Sequence, residues 1–369
     1  MIADADLLAA VERHRATLLE TMRFVHEHPE LGHEEHHCSR YLEVTFAGAG
    51  LALETGIAGM ETAFRATLEG ARPGRSVGLV CLYDAVPAVR PDGRLEAVHS
   101  CGHGPIAAGV TAAVLALAEL RDRLGGSVTV VGCPADEIHA PRTIERGGGK
   151  ALTAEAGVWD GIDAALYAHP EFVDTVTLQS PWMRRDRATV PGARSLAGGE
   201  QAALVAAQAA TGAERPGEIM LERLVLDGDV EEGTGVVTAA TFLLWASDER
   251  GIAERAAALR AALPDAFWEE GRIVAGVRPD PAVTATVADA FHAAGRGFVD
   301  DPPPLPFATD FGNISQRVPA ALIGVGREGG WAFHSDEGAA QFASPAGEEA
   351  ALVIARVLAL AATRLAEPA

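Results

Sequence analysis

Val77-Gly78-Leu79-Val80-Cys81-Leu82-Tyr83, running into Asp84, decides the fold. Two further stretches repeat its plan: Ser127-Val128-Thr129-Val130-Val131-Gly132-Cys133 runs into Asp136 and Glu137, and Ala164-Ala165-Leu166-Tyr167 runs into His169. Near-continuous apolar runs of strand length signal parallel strands covered on both faces. An open α/β sheet binds its ligands beyond the carboxyl ends of such strands. Cys101 and His103 open a helical pattern instead, with Ile106, Val110, Val114 and Leu117 at helical spacing, which brings them to the same edge. A thiolate, imidazoles and a carboxylate converging there suit a borderline-soft divalent ion, so a metal site is expected.

Around these strands the chain alternates strand and helix to about Pro181, in the manner of a doubly wound α/β domain. The texture then changes. Between Met183 and Asp280 the pattern reads as a strand over 184–190, a helix over 199–211, strands over 219–226 and 236–246, a helix over 252–263 and a strand over 272–277. That β-α-β-β-α-β order is the order of a ferredoxin-like unit. Helix and strand patterns resume afterwards, so residues 183–280 are expected to be an insertion between the two parts, 1–182 and 281–369, of one catalytic domain. No histidine lies between His169 and His292, so metal chemistry belongs to the flanking domain, where His334 follows the strand ending at Gly326.

The chain has 369 residues, 48% of them hydrophobic and 22% charged, which is ordinary for a globular protein of two domains. Its net charge of −21 argues against nucleic acid and anionic membrane as partners, because neutralising phosphates needs clustered Lys and Arg. Four cysteines without a regular framework suggest a reducing compartment. The acidic start leads into an amphipathic helix carrying Leu7, Val11, Leu18, Met22 and Val25, and no apolar run reaches spanning length, so a cytoplasmic location is expected.

Several ordered motifs resemble one family. They are His26-Glu27-His28-Pro29-Glu30-Leu31-Gly32 with Glu34-Glu35, Tyr83-Asp84-Ala85-Val86-Pro87, His99 to His103, Cys133 to Glu137, Gly147-Gly148-Gly149-Lys150, Asp163 to Pro170, and Thr309 to Ser315. Together they resemble the two-domain metallo-amidohydrolases that include carboxypeptidase G, aminoacylase, hippurate hydrolase, the plant auxin-conjugate hydrolases and p-aminobenzoyl-glutamate hydrolase. The Gly-rich stretch and Thr309-Asp310-Phe311-Gly312-Asn313 look most like the p-aminobenzoyl-glutamate hydrolase and dipeptidase side.

The resemblance implies that Cys101, His103, Glu137, His169 and His334 hold one or two divalent ions, zinc first and manganese second. It also implies hydrolysis of a linear amide in an N-acyl amino acid or an unusual dipeptide. Water on the metal would be the nucleophile and Asp136, where the family has Glu, the general base. Thr309, Asp310 and Asn313 would line the substrate pocket, and the insertion would act as a lid and mediate a homodimer. The chain departs from the family in that insertion. Leu196 stands where a His would help stabilise the oxyanion, Gly235 where an Asn is usual, and Trp245 where an Arg is usual. Two rivals therefore stand beside hydrolysis: a biosynthetic enzyme of the same fold performing cyclisation, acyl transfer or elimination, and a non-catalytic metal-binding or scaffold protein.

Among the remaining residues, Asp84 is expected to orient a ligand imidazole. His99 is either a support for the ligands or a structural histidine. Gly147 to Lys150 lacks the spacing of a phosphate-binding loop and reads as a flexible loop. Arg184, Arg185 and Arg187 read as a solvated strand face, with replacement of a substrate-binding Arg as the alternative.

Overall fold

The computed structural model describes residues 2–193, 201, 204–206, 208–209, 218–227 and 236–368. Leu196 and Gly235, two of the three departures noted above, lie outside the described residues, as do parts of the expected helix over 199–211.

The chain divides into two compact units, one of residues 1–179, 277–304 and 310–369, the other of 180–276 and 305–309. The first is built on a six-stranded sheet. Its strands are β1 (Ala52–Thr55), β2 (Phe64–Glu69), β3 (Arg72–Cys81), β6 (Gly125–Gly132), β7 (Ala164–Pro170) and β13 (Ala320–Val325), in the spatial order β1-β2-β6-β3-β7-β13. β6, β3, β7 and β13 run parallel, whereas β2 is antiparallel to β6 and to β1. A small hairpin of β4 (Val86–Val89) and β5 (Leu95–Val98) carries the chain from the end of β3 towards Cys101.

Ten helices of this unit lie within the described residues: α1 (Asp4–Arg13), α2 (Arg15–Glu27), α3 (His36–Gly48), α4 (His103–Glu119), α5 (Pro141–Arg146), α6 (Gly149–Glu155), α8 (Pro281–Ala293), α9 (Phe311–Ser315), α10 (Asp336–Phe342) and α11 (Pro345–Ala366). The single N-terminal helix expected from the sequence is two, broken at His14. α4 is apolar nearly all round because it is enclosed, packing on β3 and β7, on α1 and α2, and on α11, which also lies against the sheet. The helix α11 starts with Ser344 as N-cap, its hydroxyl accepting the Ala346 N–H, and with Pro345 at the first turn.

The second unit has a four-strand antiparallel sheet core, with β8 (Trp182–Ala193), β9 (Ile219–Asp227), β10 (Val236–Ala246) and β11 (Phe267–Glu269) in the order β11-β8-β10-β9. The helix α7 (Glu249–Ala262) packs Ile252 and Leu259 into a core with Ala188, Phe242 and Leu244. The strand expected over 272–277 is only the short β12 (Ile273–Val274), and β11, which the sequence reading did not anticipate, precedes it; both pair with β8. Between them the Gly271 N–H donates to Asp186, and a Cβ at that position would collide with the Arg185 carbonyl, so the strand breaks there.

Candidate metal centre

Strand ends and one helix start bring five prospective ligands together with Asp84 and Asp136 in the first unit. β3 ends next to Asp84, β6 leads to Asp136 and Glu137, β7 contains His169, α4 begins at His103 just after Cys101, and the loop after β13 carries His334. Two groups of potential metal donors result: Cys101, His103 and His169 in one, Cys101, Glu137 and His334 in the other. Cys101 belongs to both. Its Sγ lies 3.3 Å from His334 Nε2 and 3.8 Å from His169 Nε2. His334 Nε2 is 3.6 Å from Glu137 Oε2, and His103 Nε2 is 3.9 Å from Glu137 Oε1.

His103 and His169 turn the same atom inward because the other is held from behind. His103 Nδ1 meets the backbone oxygen of Asp84 at 2.6 Å and its carboxylate Oδ1 at 3.0 Å. His169 Nδ1 donates to the Pro170 carbonyl at 2.6 Å and lies 3.4 Å from the buried Glu171 carboxylate. Such partners fix the tautomer that leaves Nε2 bare for a metal. Asp84 also accepts the Glu137 backbone N–H through Oδ2, at 3.1 Å, so one buried carboxylate stands behind two prospective ligands.

The donor set fits a divalent ion. His103 Nε2 and Glu137 Oε1 are buried and make no hydrogen bond, which is costly unless a further group satisfies them. The electrostatics agree. Burial pushes the Cys101 thiol up to about 12 and the Glu137 carboxyl up to about 7. Burial also opposes a charge on His103, yet the Asp84 carboxylate outweighs it and raises that imidazole well above its usual value. Without a cation the pocket thus favours a protonated thiol and a partly protonated Glu137. Coordination requires both to ionise.

Asp136 lies just beside this group, its Oδ2 3.2 Å from His103 Nε2. The residue before it, Ala135, has φ +56°, a left-handed conformation costly for a non-glycine residue. Glu35 holds that turn: its carboxylate, wholly buried, accepts the Ala135 N–H and the Thr62 hydroxyl, both at 2.8 Å. Burial, and secondarily the charge of Asp84, raises the Glu35 carboxyl to about 8.

Three expectations need correction. Gly147 to Lys150 is no flexible loop: Lys150 is wholly buried at the start of α6 and pairs with Asp136 and with Asp310, the latter at 2.8 Å. Asp310 therefore does not line a pocket; it is itself wholly buried, its Oδ2 accepting the Ala151 N–H at 3.0 Å. The strand face of Arg184, Arg185 and Arg187 is solvated only at Arg187; Arg184 and Arg185 are largely buried and pair with Asp186 and Glu222, each at 2.6 Å, while exposed Arg187 lies 3.6 Å from Glu269. His99 stays outside both donor groups, and burial, followed by its neighbour His103, pushes its pKa down to about 3, so it is neutral. Thr309 and Asn313 are half-buried, Asn313 on α9. Lys150, Glu171 and Glu35 were not singled out from the sequence as parts of the site.

Among known proteins, the sequence pattern of Peptidase family M20/M25/M40 matches residues 83–362. Thermostable carboxypeptidase 1 of Saccharolobus solfataricus is 30% identical over 159 residues, 41% of this chain and 38% of that protein. The match thus spans less than half the length of that relative. N-acetyl-L-cysteine deacetylase of Bacillus subtilis is 25% identical over 353 residues, 86% of this chain and 82% of that protein. The crystal structure of the Bacillus subtilis YxeP protein, described as a dinuclear metal binding peptidase, superposes with a TM-score of 0.72 at 18% identity, covering 96% of this chain and 98% of that one. Its likeness is one of fold. With the family pattern covering well over half of its residues, this chain belongs to Peptidase family M20/M25/M40.

Proposed function

We propose that the protein is a metal-dependent amidohydrolase that cleaves a linear amide in an N-acyl amino acid or an unusual dipeptide. The observation that carries the reading is the meeting of two donor groups on Cys101 with the Asp136 carboxylate set beside them. The names of relatives, a carboxypeptidase and an N-acetyl-L-cysteine deacetylase, support amide hydrolysis as the reaction class.

Cys101, His103, Glu137, His169 and His334 would hold one or two divalent ions, and the sharing of Cys101 between groups favours two. A mixed set of thiolate, imidazole and carboxylate puts zinc first and manganese second. A divalent ion supplies Lewis acidity, polarising a carbonyl and making water a nucleophile near neutral pH. The chain's own residues do the rest. Asp84, Pro170 and Glu171 hold the imidazoles in register, while Asp136 Oδ2 takes a proton from the attacking water and returns it to the departing nitrogen. A positioned base is worth about 10²–10⁴-fold in rate. Asp136→Ala therefore lowers kcat by about that factor while leaving metal content unchanged; full activity in that variant would remove the base assignment.

The proposal includes a homodimer through residues 183–280, which a monomer in sedimentation would exclude, and a cytoplasmic location. Among the described residues no helix is long and apolar enough to cross a membrane. The test is amine release from a panel of N-acyl amino acids, β-alanyl dipeptides and aryl amides by zinc- or manganese-loaded protein, with an EDTA control. Chelator-sensitive release supports the reading. Silence across the panel with metal bound overturns it in favour of a biosynthetic reaction on the same fold.

A further inference from the structure

Lys150, the only lysine in the sequence, is wholly buried, and its surroundings are built for it. Gly148 and Gly149 run so close to Asp310 and to the Pro134 carbonyl that a Cβ at either would collide with them. The preceding carbonyl, of Gly147, is 2.9 Å from the buried His33 Nε2. Lys150 leaves this clamp between two carboxylates, Asp136 Oδ1 and Asp310 Oδ1, with its ammonium 5.2 Å from the centre of the Tyr167 ring. The two acids are thus tied to one cation that solvent does not reach.

The pairing divides the labour of the Asp136 carboxylate. Oδ1 is held by Lys150, whereas Oδ2 lies 3.2 Å from His103 Nε2, the very nitrogen left bare for a metal. A carboxylate free to turn at that range would be drawn onto a divalent cation, since anionic oxygen is a ready ligand for it. Once coordinated, it could no longer accept a proton from water. We infer that Lys150 is a positioning residue that withholds Asp136 from the metal and so keeps it a proton acceptor rather than an additional ligand. The inference rests on the assignment of Asp136 as base.

The test uses full-length protein loaded with cobalt(II), whose visible d–d absorption weakens as its coordination number rises. Lys150→Met alone would leave Asp310 as a buried, unpaired charge, a strongly destabilising change. The double variant Lys150→Met/Asp310→Asn avoids this, and Lys150→Gln/Asp310→Asn, which keeps a donor without the charge, is the second variant. The expected result in either is parent-like cobalt stoichiometry with a weakened d–d band, a kcat at least tenfold lower (about 1.4 kcal/mol) and a KM within threefold. Adding Asp136→Ala restores the parent spectrum. A spectrum unchanged from the parent overturns the inference whatever the rate, and so does a kcat within twofold of the parent. If no panel amide is hydrolysed by the parent, the hydrolase reading fails while the cobalt spectrum still decides the role of Lys150.

Discussion

Asp84→Asn isolates the support beneath the metal centre. Asp84 is wholly buried; its Oδ2 accepts the Glu137 backbone N–H at 3.1 Å, and its Oδ1 lies 3.0 Å from His103 Nδ1, which donates to the Asp84 backbone oxygen at 2.6 Å. Asparagine fits the same space but can accept through one atom only. With its NH2 turned to Glu137, that N–H is left unsatisfied at a cost of about 1–3 kcal/mol; with it turned to His103, Nδ1–H keeps its bond to the Asp84 backbone oxygen but faces a donor where a negative charge stood. Loss of the negative charge also removes the field that favours electron density on the inward Nε2. Partners of ligand histidines are typically worth about 10–100-fold in metal affinity, which is about 1.4–2.7 kcal/mol. With two ligands disturbed together, the expected loss in zinc affinity lies towards the upper end of that range. Competition against a chromophoric zinc chelator measures it directly, without any substrate, and circular dichroism shows whether the fold survives. A zinc affinity within twofold of the parent in folded Asp84→Asn would refute the reasoning, because the carboxylate would then not be supporting the ligands.

Metal uptake near pH 7 should release protons, since burial holds Cys101 at about 12 and Glu137 at about 7 before coordination; titration calorimetry in buffers of different ionisation enthalpy reads this, and apparent affinity should strengthen from pH 6 to 8. No buffer dependence would count against these two residues as ligands. For Glu35 the folded value is raised, so the stability it contributes is fully present below about 4.5, its ordinary value, and is lost as pH rises towards about 8. The metal-free Glu35→Gln variant should therefore gain on the parent by up to about 1.4 kcal/mol per pH unit between pH 5 and 8, and a pH-independent difference in urea midpoints would contradict this. Gly149→Ala places a methyl against the Pro134 carbonyl and should cost about 1–3 kcal/mol in urea denaturation; an unchanged midpoint would show that the approach of α6 to this turn can relax.

What was legible in the sequence follows from how each feature is encoded. β3, β6 and β7 leave apolar runs because both faces of those strands are covered, and the residues that follow them were readable as an edge cluster for the same reason. Within the described residues of the second unit, the strands β8, β9 and β10 and the helix α7 came through their patterns. Its final strand did not: Phe267 is exposed, and the break at Gly271 depends on the close passage of Arg185 from a neighbouring strand. Long-range polar pairs were the hardest to see. Lys150 meets Asp136 and Asp310, and Glu35 meets Ala135, across long stretches of chain, and a single buried charge creates no periodicity. The Gly147 to Gly149 run looked like a loop because glycines serve loops and tight packing alike, and only the atoms they approach tell the two apart.

The order of the strands in the first sheet also bears on how the protein is made. Cys101, His103 and His169 all lie on or before β7, so the first donor group is complete once the chain has been synthesised through Pro170. The second needs His334, and β13, which pairs with β7, arrives only after the entire second unit has been translated. α11, which packs along α4, comes later still. A nascent chain halted before residue 334 therefore carries four of its five donors beside an apolar helix still lacking one of its partners, the kind of exposed surface that chaperones hold. Occupancy of the second donor group thus reports that synthesis has passed beyond the insertion and that the last parallel strand has closed onto the sheet.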